Sequence, residues 1–285
     1  MEMMVCKTGV SGRVLRDGLG LSPVSRSKTD LIINWGCGVN YKVRYLPEKW
    51  FNKREAVEIA KDKYSTLFKL KEEGISVPEF TTHSGELDRN YVWYARDDLR
   101  SSQGRGIRII KPEDEVGYSP LYVKRVEGDR EYRIHVFNGE VIAISKKEIN
   151  PNAEMVNQYI KNHDKGWFFK KCDIDKVHDE AKNLAINSIR ALGLDFGAVD
   201  LVYDRNERKG WVLEINTAPG MEEDGHVFEA YEKALYKLVT GSNLVEEYDF
   251  DRWDTDEILG ALYEERISLE EARNLIDDVL YNERY

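Results

Sequence analysis

The chain has 285 residues, of which 41% are hydrophobic and 33% charged, and its formal net charge is −10. This composition is typical of a folded protein with a sizeable core, and no apolar run approaches the roughly 20 residues that a membrane-spanning helix needs. The three cysteines, Cys6, Cys37 and Cys172, are too scattered for a disulfide framework or a zinc site, so we expect a reducing, cytoplasmic compartment.

The negative charge is concentrated at the end of the chain. Residues 242–285 contain 14 acidic and 4 basic residues, and the remainder is close to neutral. A neutral body with an acidic tail argues against nucleic acid as a partner. The tail contains two amphipathic segments, Asp256–Tyr263 and Leu269–Leu280, which predict helices that dock to a protein partner, mediate homo-oligomerisation or cap the body.

The beginning of the chain carries weak signals. Residues 1–29 are rich in Gly, Ser and Arg and show no clear period. Leu31–Trp35 is predicted to be a short strand that runs into Gly36-Cys37-Gly38, where backbone N–H groups could face a ligand. The basic residues of the first segment are either anion contacts or part of a solvated loop: Arg13, Arg16 and Arg26.

A helix is predicted from Asn52 to Gly74. Asn52 and Glu55 have the spacing of a capping box, apolar residues then recur at helical intervals, and the glycine ends the pattern. Lys63 lies off the apolar stripe, which by itself indicates a surface lysine.

Short strands replace this helical pattern from Val77 onward. The predicted strands Tyr91–Ala95 and Gly106–Ile110 flank a polar run that includes Ser101-Ser-Gln-Gly-Arg-Gly106. Such a loop can offer backbone N–H groups and hydroxyls to phosphate, although it lacks the GK[ST] of a Walker motif. A further strand, Leu121–Val126, follows.

Asn138-Gly139 is a strong signal for a two-residue hairpin turn. Counting outward from this turn pairs Arg133 with Ile144 and Glu131 with Lys146. We therefore expect Glu131, Arg133 and Lys146 on one face of the hairpin and Lys147 on the other. A structural salt bridge between Glu131 and Lys146 is the alternative.

The segment Asn157–Cys172 interleaves basic, aromatic and amide residues. Such a pattern can bind nucleic acid, but in a neutral body it more plausibly forms a loop followed by a strand around Trp167–Phe169. A helix is expected over Asp175–Leu192, with Gly193 as its C-terminal stop, and another over Asp224–Val239.

The stretch from Gly197 to Gly220 predicts two strands, Ala198–Tyr203 and Trp211–Ile215, joined by a charged turn. If Tyr203 faces Trp211, then Asp200 faces Glu214. Asp200, Glu214 and Asn216 then share one face, together with Val202 and Val212. The opposite, core-facing set is Val199, Leu201, Tyr203, Trp211, Leu213 and Ile215.

Two carboxylates and an amide oxygen form an oxygen-only cluster on this polar face. Such hard ligands favour Mg²⁺ held between protein and phosphate over zinc or copper. The alternative is that the acidic residues only solvate the open face of a hairpin.

The order of these parts resembles the ATP-grasp superfamily, which includes D-alanine–D-alanine ligase, glutathione synthetase and the ligase that adds glutamate to a ribosomal protein. The resemblance covers roughly residues 31–240, and VDLVYD…WVLEINTAPG is its most specific part. It implies an α+β fold in which two lobes clasp ATP, preceded by an N-terminal α/β segment and followed by a helical tail.

The resemblance also implies roles for individual residues. Two Mg²⁺ ions, with Mn²⁺ as an alternative, would bridge the ATP phosphates at Asp200, Glu214 and Asn216. Lys63 and Arg96 would bind the nucleotide, with Arg96 standing where most members have lysine.

The phosphate lid would comprise Ser101, Ser102, Gly104 and Gly106. The adenine-reading hinge would be Lys124, Arg125 and Val126, with Glu131 on the ribose. Arg133 and Lys146 would act at the transferring phosphoryl group, and arginine is usual at the second position.

The implied activity is an ATP-dependent carboxylate–amine ligase that forms an amide through an acylphosphate and releases ADP and phosphate. Its partners would be small-molecule or peptide carboxylates and amines, without a membrane. No set of Ser, His and Asp or of Cys and His suggests a covalent nucleophile, and only His135 and His226 lie near the predicted site. The alternatives are a kinase-type phosphoryl transfer and a nucleotide-binding scaffold that acts through its acidic tail.

The predicted organisation has four parts. Residues 1–75 form an N-terminal segment with the helix that precedes the ATP-grasp lobes, 76–127 the small lobe with its phosphate-covering loop, 128–241 the C-terminal lobe with the metal site, and 242–285 the acidic helical tail.

Overall fold

Three β-sheets and five α-helices make up the described part of the chain. The computed structural model describes residues 2–5, 10–23, 31–40, 49–101, 105–153, 156–161, 163–221 and 225–240. The chain divides into two compact units, Met1–Leu235 and Tyr236–Tyr285, and only the end of one helix is described in the second. The predictions for Arg26, Ser102, Gly104 and the acidic tail lie outside the described residues, and the four predicted parts stay a prediction.

The N-terminal sheet is parallel, with strand order β2-β1-β3-β4. Its elements are β1 (Glu2–Val5), α1 (Val10–Gly18), β2 (Ser22–Pro23), β3 (Leu31–Trp35) and β4 (Lys49–Phe51). The central strand β3 is the predicted apolar strand, and four of its five residues are buried, as is typical of a parallel strand covered on both faces.

The predicted helix over 52–74 is two helices, α2 (Arg54–Lys61) and α3 (Lys63–Glu72). They separate at Asp62, whose extended backbone lets its carboxylate accept a hydrogen bond from Ser65 N and cap α3. This break places Lys63 at the first position of a helix.

Asn52 is not the predicted helix cap. Its backbone is left-handed, with φ of 66°, and its side chain is fully buried. The side-chain amide donates to Phe196 O at 3.0 Å and accepts from Asp195 N at 2.8 Å. Asn52 therefore fastens the N-terminal sheet to the C-terminal lobe.

The small lobe is a four-stranded antiparallel sheet with strand order β5-β8-β6-β7. Its strands are β5 (Phe80–Thr81), β6 (Trp93–Arg96), β7 (Ile107–Ile110) and β8 (Tyr122–Lys124). Trp93, Ala95, Ile110 and Tyr122 form its own apolar core.

The C-terminal lobe is a five-stranded antiparallel sheet with strand order β11-β10-β9-β12-β13. Its elements are β9 (Arg130–Phe137), β10 (Glu140–Ile149), β11 (Trp167–Cys172), α4 (Asp179–Ala191), β12 (Phe196–Asp204), β13 (Lys209–Asn216) and α5 (His226–Thr240). Helix α4 packs its buried face against one side of this sheet, and the two form an apolar core that includes Ala185, Ile134 and Val199. The other side carries the polar residues.

Two turns of this lobe have the conformation predicted from the sequence. Asn138 and Gly139 both have positive φ, 49° and 83°, which is the conformation of the tight hairpin turn predicted there. Gly193 ends α4 with φ of 68°.

We expect Asn52→Gly to destabilise the protein by about 3 kcal/mol, because it removes the buried hydrogen bonds of the Asn52 side chain. Glycine tolerates the positive φ of this position, so the substitution adds no backbone strain. Urea unfolding measures the change. Asn138→Gly is the matched control, since Asn138 also has positive φ but lies exposed in a turn. Equal effects of the two substitutions would show that the Asn52 side chain does not join the lobes.

Candidate functional site

A cavity of about 1600 Å³ lies between the polar side of the five-stranded sheet and the small lobe. It collects most of the residues predicted to form the site, although they come from distant parts of the chain. The predicted residues that line it are Lys63, Arg96, Lys124, Arg125, Val126, Glu131, Arg133, Asp200, Glu214 and Asn216.

The centre of the site is a row of side chains across neighbouring strands. Asp200 on β12 lies opposite Glu214 on β13, as predicted, and opposite Arg133 on β9. Arg133 Nε and Nη2 donate to the two carboxylate oxygens of Asp200 at 2.6 and 2.7 Å. This bidentate geometry fixes both side chains.

Burial and charge set the protonation of this pair. Burial alone would raise the pKa of Asp200, but the Arg133 guanidinium holds it below the usual carboxyl range. In the same way burial would lower the pKa of Arg133, and the Asp200 carboxylate raises it above the usual value. Both groups are therefore charged at neutral pH.

The donor set of the predicted metal site fits Mg²⁺. Asn216 Nδ2 lies 3.4 Å from Glu214 Oε1, so the amide and this carboxylate adjoin each other beside Asp200. In the described ranges no group of three or more His, Cys, Asp or Glu side chains could hold a metal ion. A hard cation at this place would therefore draw further oxygens from phosphate and water, as Mg²⁺ does in nucleotide sites.

A β-bulge changes the predicted faces of β13. The pairing shifts after Asp200, so that Val202 pairs with Trp211 and Tyr203 with Gly210. The predicted pairing of Tyr203 with Trp211 is therefore wrong. Beyond the bulge, Val212 enters the core and Leu213 lines the cavity beside Glu214, the reverse of the prediction.

A second bulge corrects the prediction for Lys146. The ladder between β9 and β10 shifts between Val141 and Ala143, so Arg133 pairs with Ser145 and Tyr132 with Lys146. A shift of one residue exchanges the two faces of the strand beyond it.

Lys147, and not Lys146, consequently lines the cavity on the Arg133 face. Its ammonium group donates to Glu131, which also binds Lys161 at 3.0 Å. Lys146 instead pairs with Glu148 at 2.6 Å. The alternative of a structural Glu131–Lys146 salt bridge is wrong for the same reason.

Lys63 and Arg96 supply positive charge at the other wall. Lys63 Nζ donates to the carbonyl of Ser101, and burial is the main cause that lowers its pKa, opposed by Glu214. Arg96 ends β6, and its buried Nε has no hydrogen-bond partner among the described residues. An unsatisfied buried guanidinium nitrogen is costly, which favours an anion as its partner.

The described ends of the predicted lid flank the cavity without lining it. Ser101 Oγ donates to Arg105 O at 2.7 Å, and Gly106 has φ of 68° where the chain enters β7. Of this loop, Arg105 lines the cavity.

The predicted hinge follows β8 along the cavity. Lys124 N donates to Glu79 O and Arg125 N to Val92 O, each at 2.8 Å, which fixes the backbone between the two lobes. The Lys124 side chain turns to Glu79 at 3.2 Å. Arg125 lies over the Tyr159 ring at 5.2 Å.

The sequence does not identify the aromatic wall of the cavity on β11. Trp167 and Phe169 line it, and Arg133 lies 4.3 Å from the Phe169 ring centre. Lys161 lies 5.1 Å from the Trp167 ring centre. The available signal was the alternation of Trp167, Phe169 and Lys171 at strand spacing within the basic and aromatic segment.

The chain resembles known proteins in sequence and in fold. Residues 119–230 match the model of the RimK-like ATP-grasp domain. The chain is 29% identical over 189 residues to a probable alpha-L-glutamate ligase of Haemophilus influenzae, which covers 60% of the chain and 59% of the relative. It is 27% identical over 187 residues to D-alanine–D-alanine ligase of Dechloromonas aromatica, with 59% and 61% covered. The chain thus spans about three fifths of the length of these curated relatives.

Solved structures share the fold at low sequence identity. D-alanine–D-alanine ligase from Bacillus anthracis, complexed with ATP, superposes with a TM-score of 0.53 at 14% identity, covering 78% of this chain and 87% of that one. The ATP-grasp ligase PsnB, complexed with a minimal precursor, Mg and ADP, gives 0.54 at 12% identity, with 80% and 94% covered.

The chain therefore has the ATP-grasp fold, and residues 119–230 are similar to the RimK-like ATP-grasp domain. This confirms the resemblance and the α+β fold class predicted from the sequence. Among the described residues no helix is long and apolar enough to cross a membrane.

Because Lys147 and not Lys146 lines the cavity, the two lysines should differ in their effect on ATP binding. Lys147→Ala should weaken ATP binding at least tenfold, because it removes the charge-assisted hydrogen bond that holds Glu131 at the cavity. Such a bond contributes about 1.5–3 kcal/mol. Lys146→Ala removes the same charge and also breaks an ion pair with a glutamate, so it is a matched control and should leave the affinity within twofold. Isothermal titration with Mg·ATP measures both; the opposite ranking would contradict the observed register.

His135 gives a prediction for acid stability. Its ring is buried and hydrogen-bonded to Tyr231, and burial lowers its pKa to about 3, with Arg133 contributing. The folded pKa lies below the unfolded one, so the contribution of this group to stability is complete above pH 6.5 and is lost as the pH falls toward 3.

Between pH 7 and pH 5 the free energy of unfolding should fall by about 2 kcal/mol more in the wild-type protein than in His135→Gln. Urea unfolding at the two pH values measures this. Parallel falls in the two proteins would mean that His135 is protonated in the folded state.

Proposed function

We propose that the protein is an ATP-dependent carboxylate–amine ligase, which activates a carboxylate as an acylphosphate and joins it to an amine. The observation that carries this proposal is the bidentate pair of Arg133 and Asp200 beside Glu214 and Asn216, in a cavity that is also lined by the cations Lys63, Arg96 and Lys147. Such a site is suited to a metal-bound triphosphate and to the charge that develops on a transferred phosphoryl group.

The nucleotide would lie along the side of the cavity nearest the small lobe. Arg96, with its unsatisfied buried Nε, and Lys63 would bind phosphate oxygens. The hinge backbone around Val126 would read the adenine, and Glu131, held by Lys147 and Lys161, would accept hydrogen bonds from the ribose. Ser101 and Gly106 would anchor the ends of the loop over the phosphates.

Asp200, Glu214 and Asn216 would hold one or two Mg²⁺ ions. Mg²⁺ bound there would neutralise charge on the triphosphate. Each oxygen of Asp200 retains a lone pair beside its bond to Arg133, so the carboxylate can serve both partners.

In this reaction the side chains of the protein would position the reactants and neutralise the charge on the group in transfer. A carboxylate is a poor electrophile, and transfer of the γ-phosphoryl group to it creates a good leaving group. Arg133 on its sheet and Lys147 beside it would stabilise the charge on the group in transfer, while the two lobes exclude water. The names of the relatives, which are ligases, support this reaction class.

Product analysis tests the reaction class directly. The protein is incubated with Mg·ATP and a panel of amino acids, short peptides and carboxylic acids, and ADP release and product masses are recorded. A ligase yields an amide with ADP and free phosphate. A product that retains the phosphoryl group would identify a kinase, and an absence of ADP with every substrate would contradict the proposal.

The metal ligands give a sharper prediction. Glu214→Gln and Asn216→Ala should each abolish Mg²⁺-dependent ATP turnover and weaken Mg²⁺ binding in the presence of a non-hydrolysable ATP analogue, without loss of fold in circular dichroism. Glu207→Gln is the control, because this residue lies exposed in the turn of the same hairpin. Normal turnover in the Glu214 or Asn216 variant would overturn the metal site.

A further inference from the structure

His226 begins α5 and lines the cavity above the five-stranded sheet, where its Nε2 lies 3.2 Å from Ser145 Oγ. Ser145 is buried on β10, directly opposite Arg133. Since neighbouring strands lie about 4.8 Å apart, the serine hydroxyl is one strand away from the cation that binds Asp200. Ser145 and His226 therefore lie beside the row formed by Arg133, Asp200 and Glu214.

The cavity wall around His226 differs in charge from the nucleotide side. The described residues of the segment 218–227 that line the cavity contribute no lysine or arginine: Ala218, Gly220, Met221, Gly225, His226 and Val227. Cations repel an ammonium group and hydrogen-bond acceptors attract it, so this wall suits an amine better than a second anion.

His135 is the other histidine in this region, and it cannot accept a proton near neutral pH. Its ring is 1% exposed, its Nδ1 lies 3.3 Å from the Tyr231 hydroxyl, and its pKa is lowered to about 3, mainly by burial. His226 is the more accessible imidazole and is the first residue of α5.

We propose that Ser145 and His226 form a proton relay that serves the attacking amine, with the wall around His226 as the amine subsite. This inference rests on the proposed ligase function and adds the residues that handle the proton of its second step.

In the tautomer with Nδ1 protonated, His226 Nε2 accepts the hydroxyl hydrogen of Ser145. The ammonium proton of the substrate passes to Ser145 Oγ while the serine proton passes to His226, which frees the amine lone pair. This lone pair forms the C–N bond with the acyl carbon, and the bond between that carbon and the phosphate oxygen breaks, with its electron pair leaving on phosphate. The departing phosphate takes the second proton from the nitrogen. The products are the amide, hydrogen phosphate and imidazolium, which returns its proton to solvent.

The experiment compares two nucleophiles in the full-length protein. The probe is a mixture of the standard L-amino acids and short dicarboxylic acids with Mg·ATP, with or without hydroxylamine. Hydroxylamine is largely unprotonated at neutral pH and traps acylphosphates as hydroxamates without a base, whereas ordinary amines require one.

We expect Ser145→Ala and His226→Gln each to slow amide formation about 10²-fold while hydroxamate formation stays within about threefold of the wild-type rate. The double variant should be no slower than the single ones, because the two groups act as one unit. His83→Gln, an exposed histidine of the small lobe, is the control and should change neither rate.

Parallel losses of amide and hydroxamate would overturn the relay, since they would indicate a structural role for the pair. Unchanged amide formation in His226→Gln would overturn it as well. Hydroxamate and ADP formation by the wild-type protein report the ligase activity separately, so their absence would mean that the proposed function itself fails, and the relay with it.

Discussion

Arg133 and Asp200 lie opposite each other on the two middle strands of the five-stranded sheet, and their side chains are only 21% and 9% exposed. Two charges so far removed from water are stable only as a pair, and removal of one partner from such a pair costs about 3–5 kcal/mol. The pair lies between Glu214, which is opposite Asp200, and Ser145, which is opposite Arg133. A site for phosphoryl transfer needs this rigidity, because its catalysis depends on position.

The cavity is organised by charge around that pair. On the side proposed for the nucleotide, Lys63, Arg96 and Lys147 contribute positive charge to the cavity wall, and Glu131 is held by two lysines. On the side of α5, the described wall is neutral and carries hydrogen-bonding groups of Ser145 and His226. In the proposed reaction, the cavity would bind an anion and an amine at adjacent positions, as amide formation requires.

Specific contacts join the N-terminal segment to the C-terminal lobe. Asn52 connects the N-terminal sheet to β12 through its buried amide, and Ser11 Oγ donates to Pro219 O at 3.0 Å. Gly36 allows the turn after β3 to approach Ala218, since a Cβ at Gly36 would lie 2.6 Å from that of Ala218. The chain that follows β13 is consequently held by residues far away in sequence.

The sequence by itself determined the hairpin turn at Asn138-Gly139 and the strands that carry the cationic and acidic residues of the cavity, because turn chemistry and strand alternation are local properties. Asp200 does lie opposite Glu214, but this pairing was predicted from an opposition of Tyr203 and Trp211 that does not occur, and it depends on the β-bulge next to Asp200. Only the tertiary structure decided which of two adjacent lysines enters the cavity and which of Val212 and Leu213 enters the core. Each choice depends on a β-bulge, which forms where one strand fits its neighbours on both sides. The role of Asn52 and the meeting of Ser145 with His226 were likewise decided by packing between segments distant in the chain.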